Sequence, residues 1–260
     1  MTMPSILTEQ RDAILRLTLN RPALRNAFDE DAIARLTDAA AAAAEDAGLR
    51  AIVLAGAGPV FCAGADLAWM SKALAYTQRE NLNDAEDLAR LLERLDTLRV
   101  PVIGRIQGAA LGGGVGLAAI CDIVVAADDA VFGLTEVKLG ILPAVIAPYV
   151  VRKIGVSAAR ELFLTGARFT AERAREIGLV HEVVPAGKLD EAVNRRIAEI
   201  RSAGPGAIAV AKALIREIAG VHPKDVIGLT TGTIAAQRVS AEGQEGMQAF
   251  LQKRKPGWSA

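Results

Sequence analysis

Two glycine-bearing turns and one isolated glutamate are the places in this sequence where chemistry could be carried. The first turn reads Phe61-Cys62-Ala63-Gly64-Ala65-Asp66-Leu67, the second Gly108-Ala109-Ala110-Leu111-Gly112-Gly113-Gly114-Val115-Gly116. Each lies after a strand-like run and before a helix-like one. The first N–H groups of a helix lack acceptors within it and carry partial positive charge, and glycine lets a ligand approach such backbone closely. Two such turns facing one another would supply two convergent donors, which is what an enolate or tetrahedral oxyanion requires. Either turn alone is an ordinary strand-to-helix connection. Phosphate-cradling patterns fit poorly: Leu117 stands where G-x-G-x-x-G needs its third glycine, and G-x-x-x-x-G-K-[ST] is absent.

The glutamate is Glu136, in the run Phe132-Gly133-Leu134-Thr135-Glu136-Val137-Lys138-Leu139-Gly140-Ile141-Leu142-Pro143. Among such apolar neighbours a carboxylate can be desolvated, which moves its pKa toward values useful for proton transfer. The alternative is a surface glutamate paired with Lys138 or another cation. His181 and His222 have no third ligand or nucleophile motif beside them and read as structural or surface residues. None of Ser71, Ser157, Ser202 and Ser240 has a G-x-S-x-G context, which argues against Ser-His-Asp hydrolysis.

The elements that must position these groups follow from periodicity. Residues 13–19 alternate apolar and polar and read as a strand, broken by Asn20-Arg21-Pro22. The alanine-rich run Glu30–Glu45 reads as helix, with Asp29 as N-cap. Residues 51–55 make a short buried strand. Leu88, Leu91, Leu92, Leu95 and Leu98 give one apolar helix face, and Pro101 then opens a strand at Val102–Ile106. Further strands are expected at 123–126 and Val131–Gly133. The remainder reads as all helix, over 156–164, 171–177, 188–202, Pro205–Ile218 and 223–250, with Pro205 and Pro223 in first turns. The expected division is a strand-and-helix core over 1–200 and a helical region over 201–260.

Composition narrows the partners. Lys plus Arg and Asp plus Glu are both 30, so the formal net charge is zero, without the basic excess a nucleic-acid binder usually needs. Hydrophobic residues are 52% of the chain, yet every apolar run is interrupted well short of a membrane span. Cys62 and Cys121 are too few and too far apart for a disulfide framework or a zinc site, and read as reduced thiols in or near the core. The first residues show no secretory pattern, so a cytoplasmic location is expected.

The order and spacing of these motifs resemble the enoyl-CoA hydratase/isomerase (crotonase) family. The matching residues are the Gly64-Ala65-Asp66 turn, the G-x-x-x-G-G-G run from Gly108, Cys121-Asp122, and F-G-x-x-E at Phe132–Glu136, with the likeness running from about Leu17 to the Phe250-Leu251-Gln252-Lys253-Arg254-Lys255 end. The resemblance implies an α/β spiral of ββα turns in two nearly perpendicular sheets, and a C-terminal helical region that assembles trimers or dimers of trimers. It implies an acyl-CoA thioester substrate, with CoA as the substrate's handle and no metal or separate cofactor. By position, the oxyanion hole falls on the N–H groups of Ala65 and Gly113, and the catalytic glutamate is Glu136. Ala63, Asp66 and Leu67 fall on the adenine and pantetheine channel; Phe250 and Lys253 fall where the family reaches the CoA of a neighbouring subunit. Arg21, Arg25, Lys72 and Lys138 are candidate phosphate cations or plain surface charges, and Trp69 and Met70 wall the acyl pocket or fill helix core.

Two departures shape the expected activity. Hydratases of this family commonly carry a second glutamate at the position of Gly116. One glutamate suits proton shuttling in a double-bond isomerase; it can also add water if the same carboxylate activates the water and returns the proton. The segment from Leu134 to Tyr149, with Ala65-Asp66-Leu67-Ala68-Trp69-Met70, is similar to the bacterial branch that hydrates 3-methylglutaconyl-CoA and isoprenoid-derived glutaconyl-CoAs, where glycine at this position also occurs. Hydration is therefore the expected activity, with an isomerase and a non-catalytic acyl-CoA-binding paralogue as alternatives.

Overall fold

The computed structural model describes residues 3–259. Its first element is a hairpin: β1 (Ile6–Arg11) runs antiparallel to β2 (Ile14–Leu19). Leu15, Leu17 and Leu19 of β2 point into the core and the alternate residues point partly outward, as their alternation requires. β1 was not expected; it buries only Ile6, so its side chains carry no alternation to read. In α1 (Glu30–Glu45) the Asp29 carboxylate accepts the Ala32 N–H at 3.0 Å, the cap expected of it.

β3 (Ala51–Gly56) is buried along its whole length. It is followed by α2 (Leu67–Ala73) and α3 (Gln78–Thr97), the latter opened by a Thr77–Glu80 capping box. Then come β4 (Val102–Ile106), β5 (Ala109–Leu111), α4 (Gly113–Ala119), β6 (Ile123–Ala127) and β7 (Val131–Gly133). A 3-10 turn at Glu136–Leu139 leads to α5 (Ala147–Thr165), which breaks at Gly155, where φ is 74°. The chain continues through β8 (Arg168–Thr170), α6 (Ala171–Glu176), β9 (Glu182–Val184), α7 (Leu189–Ser202), α8 (Pro205–Ile218), α9 (Ile227–Val239) and α10 (Ala241–Leu251).

The strands form a six-stranded sheet ordered β1-β2-β3-β4-β6-β9 and a three-stranded sheet ordered β5-β7-β8. From β2 onward the large sheet is parallel throughout. β4 and β6 belong to the large sheet while β5 and β7, which follow them, belong to the small one, so successive turns of chain wind into a spiral of ββα units. α1 packs on α3, β1 and β2, and α7 lies over β4 and β6. Between these layers sits one core, in which Leu17, Ile52, Leu54, Leu92 and Ile103 are fully buried.

Two expectations for the second half need correction. The region after residue 156 is not all helix: β8 pairs with β7 and β9 closes the large sheet against β6. Each is three residues long, too short for a period of two to register. The run 223–250 is not one helix either. A 3-10 turn at Pro223–Val226 precedes α9, and Ser240 takes an extended conformation and accepts the Gly243 N–H to begin α10. Among the described residues no helix is long and apolar enough to cross a membrane.

Candidate active site

The first glycine turn is held from below by the loop after β2. Asn26, buried and at φ 55°, donates its amide hydrogens to the carbonyls of Ala57 and Val60 and accepts the Arg21 N–H. The next residues run beside the turn: the Ala63 N–H donates to Arg25, the Phe28 N–H to Gly64, and the Asp66 N–H to Phe28. Arg21 closes the arrangement, with Nη2 at 2.9 Å from Asp66 and 3.1 Å from Asp29 and Nη1 donating to the Ala27 carbonyl. Asp66 caps α2, accepting from Ala68 and Trp69. Burial works against its charge, but those N–H groups and Arg21 outweigh it and hold the carboxyl below its ordinary range.

The two glycine turns meet directly. Cys62 donates to Ala109 and Leu111 donates back to Cys62, a short parallel bridge between the turns. Gly64 has φ 94°, and a Cβ there would lie 2.9 Å from the Leu111 carbonyl oxygen and 3.8 Å from the Gly113 nitrogen. Only glycine fits both that backbone and that approach. The ring of Phe28 covers Gly113 on one side, where a Cβ would fall 2.2 Å from Cζ. Among the described residues neither the Ala65 N–H nor the Gly113 N–H, the first of α4, donates to an acceptor in the chain. Both residues are half-exposed while Gly64 and Gly114 are buried, so the two donors open outward.

Glu136 completes the site. It begins the 3-10 turn, and its Oε1 lies 3.1 Å from where a Cβ on Gly112 would stand, which puts the carboxylate beside the Gly113 donor. Its Oε2 is buried and has no hydrogen-bond partner. Burial pushes the carboxyl pKa up, opposed only by its own backbone N–H. Lys138 is exposed, and no ion pair between the two is formed, so the surface-pair alternative does not hold. Two unpaired N–H groups, one of them beside a desolvated carboxylate, can stabilise a carbonyl oxyanion while a proton is taken up and returned next to it.

The structure brings Ala63, Ala65, Gly113 and Glu136 together. Leu67 opens α2 with its side chain 82% exposed. Asp66 is in the same turn but is 5% exposed: its carboxylate caps α2 and pairs with Arg21, and its N–H donates to Phe28, so it holds the turn rather than facing outward. Phe250 and Lys253 lie at the exposed end of α10, whose main neighbours are α8 and α9 rather than the two turns. Of the candidate phosphate cations, Arg21 is committed to Asp29 and Asp66, and Lys72 pairs with Glu30 at 2.9 Å. Trp69 is core, with its ring against Phe28 and its N–H donated to Asp84. His181 accepts the Val124 N–H and His222 accepts that of Lys224, both structural roles. Among the described residues no three His, Cys, Asp or Glu side chains gather as metal ligands. Sequence reasoning missed Phe28 and the clasp built on Asn26. The one available signal was asparagine's tolerance of positive φ.

A parallel spiral that presents paired backbone donors and one buried acid is a scaffold for carbonyl chemistry through an oxyanion, and comparison with known proteins says which. The family model described as enoyl-CoA hydratase/isomerase matches residues 9–260. The 2,3-dehydroadipyl-CoA hydratase of Escherichia coli K12 is 35% identical over 256 residues, covering 98% of both chains. The crotonyl-CoA hydratase of Syntrophomonas wolfei is 33% identical over 257 residues, again 98% of both. The solved structure of Pseudomonas aeruginosa AtuE superposes with a TM-score of 0.95 at 39% identity, over 98% of this chain and all of the other. The chain belongs to the enoyl-CoA hydratase/isomerase family and has the crotonase fold.

Proposed function

We propose that the protein is an enoyl-CoA hydratase, a hydro-lyase adding water across the α,β double bond of an enoyl-CoA thioester. The thioester oxygen sits between the N–H groups of Ala65 and Gly113. The Glu136 carboxylate takes a proton from water as the oxygen bonds to Cβ. The π electrons move onto the thioester as an enolate, and Glu136 returns the proton to Cα, so one carboxylate serves both halves and no metal or redox cofactor takes part. Ala63 and Leu67 line the CoA channel, on the turn that buried Asp66 holds in place. Residues 201–260 assemble a homotrimer or dimer of trimers in the cytoplasm, where Phe250 and Lys253 reach a neighbour's CoA.

The observation that carries this reading is the buried, unpartnered carboxylate of Glu136 beside the free Gly113 N–H. For the acyl group, 3-methylglutaconyl-CoA and its like are the candidates. The E. coli relative, by its name, hydrates a thioester whose acyl chain also ends in a carboxylate. A second reading, enoyl-CoA isomerase, is favoured by Gly116, which leaves the site a single acid.

The test follows the loss of conjugated enoyl-thioester absorbance on crotonyl-, 3-methylcrotonyl- and 3-methylglutaconyl-CoA, for the wild type and Glu136→Gln. Turnover is expected in the wild type, falling at least about 100-fold in the variant with thioester binding retained. A shifted double bond without solvent oxygen in the product would establish the isomerase. Binding without any turnover would leave an acyl-CoA-binding paralogue.

A further inference from the structure

Gly112, the N-cap of α4 at φ 51°, and Gly116 lie one turn apart, linked by the Gly116 N–H donating to the Gly112 carbonyl at 3.3 Å. The step over Gly112 is taken by the Glu136 carboxylate. The step over Gly116 is taken by Ile146: a Cβ at Gly116 would fall 2.2 Å from Ile146 Cγ2 and 2.8 Å from its Cβ. Ile146 is 3% exposed and is fixed at the start of α5, where its carbonyl accepts the Val150 N–H. The acid and the branched hydrocarbon therefore stand one turn apart along the start of α4, and at Gly116 there is no room for a side chain while Ile146 is in place.

We propose that Ile146 is a positioning residue of the site, filling the place from which a second polar side chain or a water would otherwise reach the Glu136 carboxylate, and so leaving Glu136 the sole proton carrier on that face. The inference rests on the reading of Glu136 as the proton carrier. The surroundings agree with it. The first turn of α4 has no ionisable side chain, and Lys138, on the turn of Glu136 itself, is exposed and runs along Gly166. Arg168 of β8 lies against Gly133 and is exposed. Tyr149 of α5 is among Glu93, Asp96 and Arg152, and the loop after β2 contributes the ring of Phe28. Gly116 and Ile146 thus specify each other: the glycine is required because the isoleucine is there.

Ile146→Val and Ile146→Thr separate filling from drying, because valine and threonine share a shape but only threonine brings a hydroxyl. The readout is the acid limb of the pH–rate profile for enoyl-CoA hydration, where the rate falls as Glu136 takes up a proton. Relative to the valine variant, the limb in Ile146→Thr is expected to move about one pH unit lower, toward the ordinary carboxylate value. An unchanged limb in both variants would overturn the proposal. The carboxyl 13C shift of glutamate-labelled protein, assigned with Glu136→Gln, follows the same titration without turnover. A chain that hydrates no thioester but shows the lowered titration keeps this inference and loses the proposed function. Normal hydration with an unmoved titration loses this inference alone. If Ile146→Thr does not fold, Gly116→Ser/Ile146→Ala puts a hydroxyl on the same step of α4 and carries the same expectation.

Discussion

Glu136 holds a charge where the protein gives it little in return: one carboxylate oxygen is buried without a partner, and burial raises its pKa. The consequence for stability has a definite sign. A carboxyl whose folded pKa lies above its unfolded value favours folding at low pH, and that contribution is lost as pH rises through the folded pKa. At pH 7 the charged form therefore opposes folding, and Glu136→Gln is expected to stabilise the protein by about 1 kcal/mol while abolishing activity. That is roughly 2–4 °C in Tm, and the gain should shrink as pH falls and the wild-type carboxyl becomes neutral. Scanning calorimetry of both proteins from pH 7 to pH 4.5 checks it. Cys62 makes the opposite point: it sits inside the first glycine turn, yet burial pushes its thiol, like that of Cys121, up to about 12. Neither is a nucleophile at physiological pH. A disulfide reagent at pH 8 should label no thiol rapidly in the native protein and two after denaturation.

At the scale of elements, the site depends on a clasp rather than on any single turn. Arg21 ties the loop after β2 to α1 through Asp29 and to α2 through Asp66, whose side chain is only 7% exposed. Removing one partner of such a pair leaves a buried charge uncompensated, so Arg21→Ala should cost about 3 kcal/mol. It should also lower kcat/KM by loosening the Ala65 donor. Arg21→Lys should recover little, since one ammonium cannot reach Asp29, Asp66 and the Ala27 carbonyl in the same fork. Thermal unfolding and hydration rates of the two variants measure this. What could be read from sequence divides along the same line. α1 was legible to its cap, because Asp29 and the helical repeat lie next to each other in the chain. The helix expected at 156–164 is the part of α5 beyond its break at Gly155, where the repeat resumes. Glu136 stood out as an acid in an apolar run, but that run alone fits a surface residue as well, and its role was legible only from the order of the motifs around it. Phe28, Arg21 and Ile146 were not, because they act across the fold on residues 85, 45 and 30 positions away in sequence, at Gly113, Asp66 and Gly116, and no local pattern marks that. β1, β8 and β9 escaped for a simpler reason: an exposed edge or a three-residue strand has no periodicity to show.

The whole molecule leaves one large feature unsatisfied. No residue of α8 or α9 is fully buried within the chain, and Ile215 is 64%, Ile227 59%, Ile234 48% and Val239 78% exposed. Ile227 and Ile234 are seven residues apart and share a helix face. Apolar surface of that extent on one layer normally marks an interface between proteins. Internal ties keep the layer in place for one: Glu242 accepts the N–H groups of Gly206 and Ala207 at the start of α8, Lys212 of α8 pairs with Asp122 at 2.7 Å and donates to the Val100 carbonyl, and Arg216 donates to the Asp96 carbonyl. The trimer or dimer of trimers proposed above predicts three or six chain masses in sedimentation equilibrium, and this exposed layer predicts that Ile215→Asp/Ile234→Asp gives single chains that remain folded. If assembly also brings the exposed Phe250 and Lys253 to a neighbour's CoA, Lys253→Ala should raise KM for CoA thioesters several-fold. It should leave KM unchanged for the matching pantetheine thioesters, which lack the nucleotide phosphates a lysine would pair with. A single-chain mass for the wild type at micromolar concentration would overturn the assembly. An equal effect of Lys253→Ala on both kinds of thioester would place the lysine away from the nucleotide.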